Sequence, residues 1–248
     1  MDNFLYISMS GAKETMNALA IHSNNLANAN KTGFKSDFEQ ARSMQIHGHG
    51  LPTRVFSLAE SPGQNFDSGI VYSTGRDLDV AIEGDGWFVV KSEAGDEGAS
   101  RSGNFKIDVD GFLIDPKGQR IVDDQGEDIF IPMPIDKFNI RKDGVIEVRP
   151  QGAPADGMEE VAQLKLVNPN VRDIMRGADG LFRRIDGEPL QFSPDVVVSN
   201  GTLEASNVNL SSELTSLINL QRGFEMQIKM MKNAEEIDKS AETLLRMS

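Results

Sequence analysis

The chain of 248 residues contains no cysteine, only one tryptophan and three histidines, and few aromatic residues in all, 6% of the total. The absence of cysteine excludes a disulfide framework, a thiolate zinc site and a cysteine nucleophile. Basic residues are also scarce, 25 against 38 acidic ones, so the net charge is −13. Nucleic-acid binding needs clustered Lys and Arg, and this balance argues against phosphate backbones as partners. No apolar run reaches the roughly 18–20 residues of a membrane-spanning helix.

Proline is missing from both ends of the chain. All ten prolines and most of the 23 glycines fall in the middle, between residues 48 and 201. Because proline interrupts helices and glycine weakens them, the ends are free to be helical and the middle is not. Charge divides in the same way, with +1 on residues 1–35, −1 on residues 207–248 and −13 between them. Copies of the middle segment therefore repel one another, whereas copies of the ends do not.

Both ends carry apolar residues at helical spacing. Positions seven apart share one helix face, and a set offset by four widens it. The first end has this pattern at Leu5, Met9, Ala12, Met16, Leu19 and Leu26. The second end has three–four spacing at Leu214, Leu217, Phe224, Ile228, Met231 and Ala234, interrupted by Gln221. A long helix with a single apolar stripe needs a partner, so we expect the two helices to pair with each other.

The middle of the chain indicates strands. Residues 87–90 form a short apolar run, and alternating apolar residues lead into and out of Asp110-Gly111 and Asp143-Gly144. Further Asp-Gly dipeptides begin at Asp85, Asp156, Asp179 and Asp186. Asp-Gly between alternating apolar runs predicts a hairpin with a type I′ turn, which needs positive φ at both central residues.

These patterns together predict an α+β fold, in which long N- and C-terminal helices pair as a coiled-coil-like core and an antiparallel, turn-rich β domain is inserted between them. The expected divisions are an N-terminal helix in 1–35, a loop-rich connector in 36–66, the β domain in 67–206 and a coiled-coil-forming helix in 207–248.

The sequence contains few candidates for a metal-binding or phosphate-binding site. His47 and His49 could begin a metal site, but the other histidine, His22, lies on the first helix, and an exposed loop is the preferred interpretation. Residues 108–111 resemble the opening of a calcium loop but lack its third oxygen ligand and its closing Glu, so a hairpin turn is preferred. Residues 84–86 have no following helix or basic residue to form a phosphate cradle.

Two acidic pairs, Asp77/Asp79 and Glu83/Asp85, are candidates for a glycosidase dyad. Carboxylates two residues apart on a strand share a face, and on so acidic a chain a solvated surface is the simpler interpretation. No Ser/His/Asp arrangement can be assembled either. We therefore predict no catalytic residue, no bound metal and no cofactor.

Signatures at opposite ends of the chain resemble those of one protein family. Residues 24–30 read Asn-Asn-Leu-Ala-Asn-Ala-Asn, followed by Thr-Gly-Phe-Lys at 32–35. Residues 203–209 read Leu-Glu-Ala-Ser-Asn-Val-Asn, followed by Gln-Arg-Gly-Phe-Glu at 221–225. Both are similar to the terminal signatures of the bacterial flagellar rod and hook proteins. Residues 74–88, 101–105 and 180–183 extend the similarity, which is greatest to proximal-rod members.

The resemblance implies a structural, non-enzymatic subunit of the proximal rod, in the drive shaft that transmits motor torque to the hook and filament. It implies as partners the other rod subunits, copies of the chain itself and the flagellar type III export apparatus. The first six residues lack the basic and apolar regions of a signal peptide, which by itself predicts a cytoplasmic protein. The resemblance instead implies export without a cleaved signal and a place in the periplasmic rod of the basal body.

The residues expected to carry assembly combine the helical stripes with the signatures. They are Leu5, Ala12, Leu19, Asn24, Asn25, Leu26, Asn28, Gly33, Phe34, Asn207, Val208, Leu214, Leu217, Gln221, Arg222, Phe224, Glu225, Ile228 and Met231.

Three alternatives remain open. The chain could be a distal-rod subunit of the same structure. It could be a hydrolase that uses its acidic β domain on peptidoglycan, or a free-standing adaptor whose helices bind one partner helix bundle.

Overall fold

A computed structural model describes residues 2–38, 41–45, 55–59, 63–92, 94–154 and 157–246. His47, His49, Asp156 and much of the expected connector lie outside these residues. The chain divides into two compact units. Unit 1 comprises Met1–Ala29, Lys35–Asn65 and Val208–Ser248, and unit 2 comprises Asn30–Phe34 and Phe66–Asn207.

Unit 1 contains two long helices and four short strands. The helices are α1 (Asp2–Ala27) and α2 (Leu210–Arg246). The strands are β1 (Asp37–Phe38), β2 (Ala41–Gln45), β3 (Val55–Ala59) and β4 (Gly63–Gln64), and they pair antiparallel as β1 with β4 and β2 with β3. Neither helix has an apolar stretch long enough to cross a membrane within its described residues.

Polar side chains cap the C-terminal end of α1 and the N-terminal end of α2. At the end of α1, the Asn28 side chain donates through Nδ2 to the carbonyl of Asn24 at 2.8 Å. At the start of α2, Asn209 Oδ1 accepts from the backbone N–H groups of Ser211 and Ser212 at 3.1 and 3.2 Å. These bonds satisfy backbone groups that a helix end leaves without partners.

The predicted fold class, with its coiled-coil-like core of paired helices, is wrong. The described residues form two helices and a β-rich domain of several sheets, and the large buried apolar side chains lie in that domain. Among the described side chains, α1 buries only Ala12 and Ala18 of its apolar residues, and α2 buries none. A seven-residue repeat shows that apolar side chains share a helix face, but it does not show what covers that face.

Unit 2 is built from antiparallel strands. They are β5 (Val71–Ser73), β6 (Val80–Glu83), β7 (Trp87–Lys91), β8 (Glu97–Ser100), β9 (Lys106–Ile107), β10 (Leu113–Ile114), β11 (Arg120–Ile121), β12 (Ile135–Ile140), β13 (Val145–Pro150), β14 (Glu159–Gln163), β15 (Leu166–Val167), β16 (Ile174–Arg176), β17 (Phe182–Arg184), β18 (Val197–Asn200) and β19 (Thr202–Glu204). The largest sheet has eight strands in the order β16-β17-β8-β7-β11-β10-β9, with β15 also paired to β7. A second sheet has the order β12-β13-β14, and β18 pairs with β6 and β19 with β5.

Strand β7 is the centre of the packing in unit 2. Phe88 and Val90 belong to the main apolar cluster, in which the Phe88 ring meets the Phe105 ring edge-on at 5.2 Å. Trp87 and Val89 point the other way, into a second cluster. Successive side chains of a strand alternate between its faces, so the continuous apolar run at 87–90 reflects a strand covered on both sides.

Two of the predicted hairpins are confirmed, although their turns differ from the prediction. Strands β9 and β10 pair around Asp110-Gly111, and β12 and β13 pair around Asp143-Gly144. Both glycines have positive φ, +88° and +83°, but no described residue other than glycine does. The turns are therefore type I followed by a glycine in the left-handed region, which needs only one residue of positive φ.

Asp115 shows how a buried carboxylate serves a turn in unit 2. It is 3% exposed, and its Oδ1 accepts from the backbone N–H groups of Lys117 and Gln119, each at 2.8 Å. Burial raises the pKa of this carboxyl, and the two backbone donors only partly oppose the rise. The turn therefore needs the oxygen acceptor more than it needs the charge.

We accordingly expect Asp115→Asn to be at least as stable as wild type at neutral pH, because the amide keeps the acceptor. Asp115→Ala should lose about 1–3 kcal/mol of unfolding free energy, because it leaves two N–H groups without a partner. The wild-type chain should approach the Asn variant as the pH falls below about 3, where its carboxyl is protonated in both the folded and the unfolded state. Thermal melting followed by tryptophan fluorescence checks this, and a less stable Asn variant at neutral pH would contradict it.

Candidate functional site

Within unit 1, α1 and α2 meet through polar groups. Thr15 Oγ1 lies 3.3 Å from Gln227 Oε1 and donates to the Gly11 carbonyl at 2.9 Å. A Cβ at Gly11 would come within 2.9 Å of Gln227 Nε2, so the glycine leaves room for this amide. A second polar contact joins His22 Nδ1 and Glu213 Oε2 at 2.5 Å. The sequence did not predict these contacts, because the residues that make them fall outside the apolar pattern.

The predicted assembly residues on the helices differ widely in burial. Ala12 and Asn25 are buried, and Leu5 lies in α1. Half-buried members are Leu19, Leu26, Asn28, Val208, Leu217, Phe224, Ile228 and Met231. Exposed members are Asn24, Leu214, Gln221, Arg222 and Glu225. The stripe therefore faces solvent along part of its length in the isolated chain.

Both helices also expose large apolar side chains to solvent. We define the apolar helix surface as Met9, Met16, Leu210, Leu214, Ile218, Met226, Met230 and Ile237, which are between 43% and 61% exposed. Soluble monomeric proteins expose few large apolar patches, and those that exist commonly mark interaction sites. The apolar helix surface is therefore a candidate interface.

The asparagines of the N-terminal signature bind backbone groups. Asn25 is 1% exposed, and its side chain donates to the Asp37 carbonyl at 2.8 Å and accepts from the Asp37 N–H at 2.9 Å. Its amide thus pairs with β1 as a neighbouring strand would. Asp37 was not among the predicted residues, because nothing in its local sequence marks it as the partner of a helical Asn.

We expect Asn25→Ala to loosen β1, because two buried backbone groups lose their partner at a cost of about 1–3 kcal/mol. Hydrogen exchange of the Asp37 amide should then be about 10–100 times faster, since 1.4 kcal/mol corresponds to a factor of ten. Asn24→Ala, at the exposed neighbouring position, is the matched control and should change it little. Equal exchange rates in the two variants would show that the Asn25 amide does not hold the strand.

In unit 2, the ends of the two terminal signatures lie side by side. The Gly33 N–H donates to the Glu204 carbonyl at 2.8 Å, and the Asn207 N–H donates to the Phe34 carbonyl at 3.3 Å. We name the region where they meet the junction, which consists of residues 32–34, 67–71, 101–104 and 203–207. The chain enters unit 2 from α1 through the first of these segments and leaves it toward α2 through the last.

Gly33 is required by the geometry of the junction. Its φ is +66°, and a Cβ there would lie 2.3 Å from the carbonyl carbon and oxygen of Arg101. Beside it, Thr32 Oγ1 donates to Asn104 Oδ1 at 3.1 Å, and Ser102 Oγ donates to the same oxygen at 2.8 Å. Thr32, Arg101 and Asn104 lie in motifs that resemble the family, but they are not among the residues predicted to carry assembly.

A buried ion pair lies within the junction. Arg101 Nη1 and Glu204 Oε2 are 3.2 Å apart, with side chains 3% and 2% exposed. The Arg101 guanidinium also lies over the Trp87 ring, 5.5 Å from its centroid. Burial lowers the pKa of Arg101, and the charges of Glu204 and Asp85 partly restore it.

The acidic pairs do not form a catalytic dyad. Asp79 is 4% exposed, accepts from Thr74 Oγ1 at 2.8 Å and pairs with Arg76 at 3.3 Å. The interpretation of both pairs as solvated surface is thus wrong for Asp79, which is a buried turn residue, while Asp77 and the other pair are exposed. Among the residues with described coordinates, no three His, Asp or Glu side chains are grouped to hold a metal ion.

Three protein-family models match separate parts of the chain. The model described as "Flagella basal body rod protein" matches residues 5–35. The "Flagellar hook protein FlgE/F/G D1 domain" matches residues 81–148. The "Flagellar basal body rod FlgEFG protein C-terminal" matches residues 199–244. The matches thus cover most of α1, the strands of unit 2 from β6 to β13, and β19 with most of α2.

Relatives match along the whole length. The flagellar basal-body rod protein FlgF of Escherichia coli K12 is 35% identical over 254 aligned positions, which cover 100% of both chains. FlgF of Salmonella typhimurium LT2 is 34% identical with the same coverage. The rod protein FlgG of Bacillus subtilis 168 is 31% identical over 94% of this chain and 95% of its own.

The resemblance found in the terminal signatures is confirmed by these matches. Rod proteins are structural, non-enzymatic components of the flagellar basal body that assemble with other rod components. The chain therefore belongs to the family of flagellar basal-body rod proteins, as a structural subunit and not an enzyme.

Proposed function

We propose that this chain is an FlgF-type subunit of the proximal rod. It assembles with other rod subunits and with copies of itself through α1 and α2, and it transmits motor torque toward the hook and filament. The full-length likeness to FlgF proteins at 34–35% identity supports this position in the rod. The likeness to FlgG at 31% makes a distal-rod position the second candidate.

The apolar helix surface is the observation that carries the proposal. Its side chains are about half exposed, while the contacts between α1 and α2 include hydrogen bonds of Thr15 and His22. Burying a fully exposed side chain of this kind contributes about 1.5–3 kcal/mol, so covering one that is already half buried contributes about 1 kcal/mol, and the surface offers eight of them. Neighbouring subunits that cover this surface would gain that free energy on assembly.

The charge distribution supports the helices as the contacting elements. Segments 1–35 and 207–248 carry net charges of +1 and −1, whereas the chain between them carries −13. Copies packed through the middle segment would bring like charges together, which costs free energy even in salt. Copies packed through their helices avoid most of that repulsion.

We further propose that the flagellar type III export apparatus delivers the chain to the periplasm without cleaving it. Membership in the rod family is what supports this route. Mass spectrometry of the chain recovered from purified basal bodies should find a peptide that starts at Met1 or Asp2. A mature chain shorter by 15–30 residues, roughly the length of a signal peptide, would contradict the route.

The assembly proposal is tested by deleting the gene and complementing it with the full chain carrying an epitope tag. We expect the deletion strain to be immotile and to yield basal bodies without a distal rod. Complementation should restore motility and the distal rod. The tag should be found in the rod fraction. Complete rods in the deletion strain would overturn the proposal, and a proximal rod that still forms would favour the distal position instead.

A further inference from the structure

We propose that Arg101 and Glu204 are a positioning pair for rod assembly. Their buried ion pair holds the two places where the chain enters and leaves unit 2 in one arrangement, and it contributes more to that arrangement than to stability. This inference rests on the proposed function, because it assigns a role in assembly to residues outside the helices.

The pair connects segments that are far apart in the sequence. Arg101 Nη2 donates to the Gly84 carbonyl at 2.6 Å. Glu204 Oε1 accepts from the Gly69 N–H at 2.8 Å, and the Glu204 carbonyl accepts from the Gly33 N–H at 2.8 Å. The two side chains therefore tie the strand that leads toward α2 to two loops of the β domain, and the backbone of Glu204 adds the segment that comes from α1.

The chemistry of the pair is costly for stability. Two charges that are 97–98% removed from solvent lose their hydration, and their attraction repays this only when the remaining polar atoms are well bonded. Within the described part of the chain, Arg101 Nε and Nη1 make no hydrogen bond, and Nη1 contacts Glu204 as an ion pair only. Apolar or neutral side chains of similar volume would stabilise the same site equally well.

Apolar side chains, however, would not fix the relative orientation of the segments that the pair joins. Arg101 presents a planar fork of donors, with Nη1 against Glu204 and Nη2 donating to the Gly84 carbonyl, so it favours one geometry where apolar side chains accept many. Glu204 belongs to the C-terminal signature, and Gly33, whose N–H it accepts, belongs to the N-terminal one. The pair thus acts where both signatures meet, at the crossings that lead to the two assembling helices.

A double-mutant cycle separates positioning from stability. The variants are Arg101→Met, Glu204→Gln and the two combined, each in the full chain and each returned to the deletion strain. Trp87 is the only tryptophan and lies against Arg101, so its fluorescence reports the melting of unit 2. Each single change should lower the melting temperature by about 10 °C, because it removes the opposite charge that faces a buried ionised group.

The combined variant should melt within about 4 °C of wild type, since neither charge of the pair remains. Its swimming on soft agar should nevertheless stay at least twofold below wild type. Full swimming by a folded double variant would overturn the proposal. If that variant does not fold, the Arg101→Lys variant is tested instead, because lysine keeps the charge without the planar fork of donors. Wild-type swimming by this variant would overturn the proposal. Reduced swimming with an unchanged melting temperature would support it.

A helix variant in the same strain separates this proposal from the proposed function. If Ile218→Asp in α2 swims normally, assembly through the helices is wrong. If Ile218→Asp is immotile and the double variant swims, assembly stands and only the positioning role fails.

Discussion

Replacing Ile218 with Asp should abolish swimming while unit 2 keeps its wild-type melting temperature. Ile218 lies in α2 and is 53% exposed in the isolated chain, so the new charge does little harm before assembly. In the rod, the change removes about 1 kcal/mol of apolar burial and places an unpaired charge in the interface, which is the more costly effect. Every copy in the polymer repeats this loss. Soft agar measures swimming, and Trp87 fluorescence measures the melting of unit 2. The yield of tagged chain in basal bodies measures incorporation into the rod.

The neighbouring position supplies the matched control. Asn219 is also exposed on α2, and Asn219→Asp adds the same charge one residue away without removing an apolar side chain. We expect this strain to keep most of its swimming. Equal loss in both strains would attribute the effect to charge on α2 in general, and normal swimming of Ile218→Asp would refute the role of the apolar helix surface.

Gly103→Ala should prevent unit 2 from folding normally. An added Cβ would lie 1.7 Å from the Val80 carbonyl oxygen, and Val80 is itself held by a hydrogen bond from its N–H to the Gly103 carbonyl at 2.9 Å. The atom in the way is backbone, so relief requires that a strand of the core move. Overpacking of this kind costs about 3 kcal/mol or more. The Trp87 melting transition should fall by about 10 °C or disappear.

Gly223→Ala tests whether the glycine replacement as such is harmful. Gly223 lies inside α2 with nothing within 4 Å of an added Cβ. Alanine favours a helix over glycine by about 1 kcal/mol, so this variant should leave the melting of unit 2 unchanged and α2 slightly more stable. A Gly103→Ala chain that melts like wild type would show that β6 yields more easily than its burial implies.

Local chemistry made much of the β domain predictable. The apolar run at 87–90 is β7, and the hairpins at Asp110-Gly111 and Asp143-Gly144 form as predicted. These features depend on residues that are close in sequence, so a single sequence is sufficient to indicate them. The turn type was wrong because a type I turn followed by glycine requires positive φ at glycine alone.

Contacts between distant residues were not predictable in the same way. The coiled-coil-like core was wrong, since the spacing of Leu19 and Leu217 reports a face and not its partner. The bond between Asn25 and Asp37 and the ion pair of Arg101 with Glu204 join segments without any shared local pattern. Asn25, Arg101 and Glu204 belong to motifs of the family and Asp37 to none of them, so the sequence did not indicate these contacts.

The junction also bears on how such chains can change over time. The chain enters and leaves unit 2 at points joined by two backbone hydrogen bonds, Gly33 to Glu204 and Asn207 to Phe34. A domain whose two ends lie side by side can be lengthened, shortened or exchanged without altering the distance that the rest of the chain must span. Insertions or deletions in the outer loops of unit 2 would therefore leave unchanged the separation of the points from which the chain leads to α1 and α2.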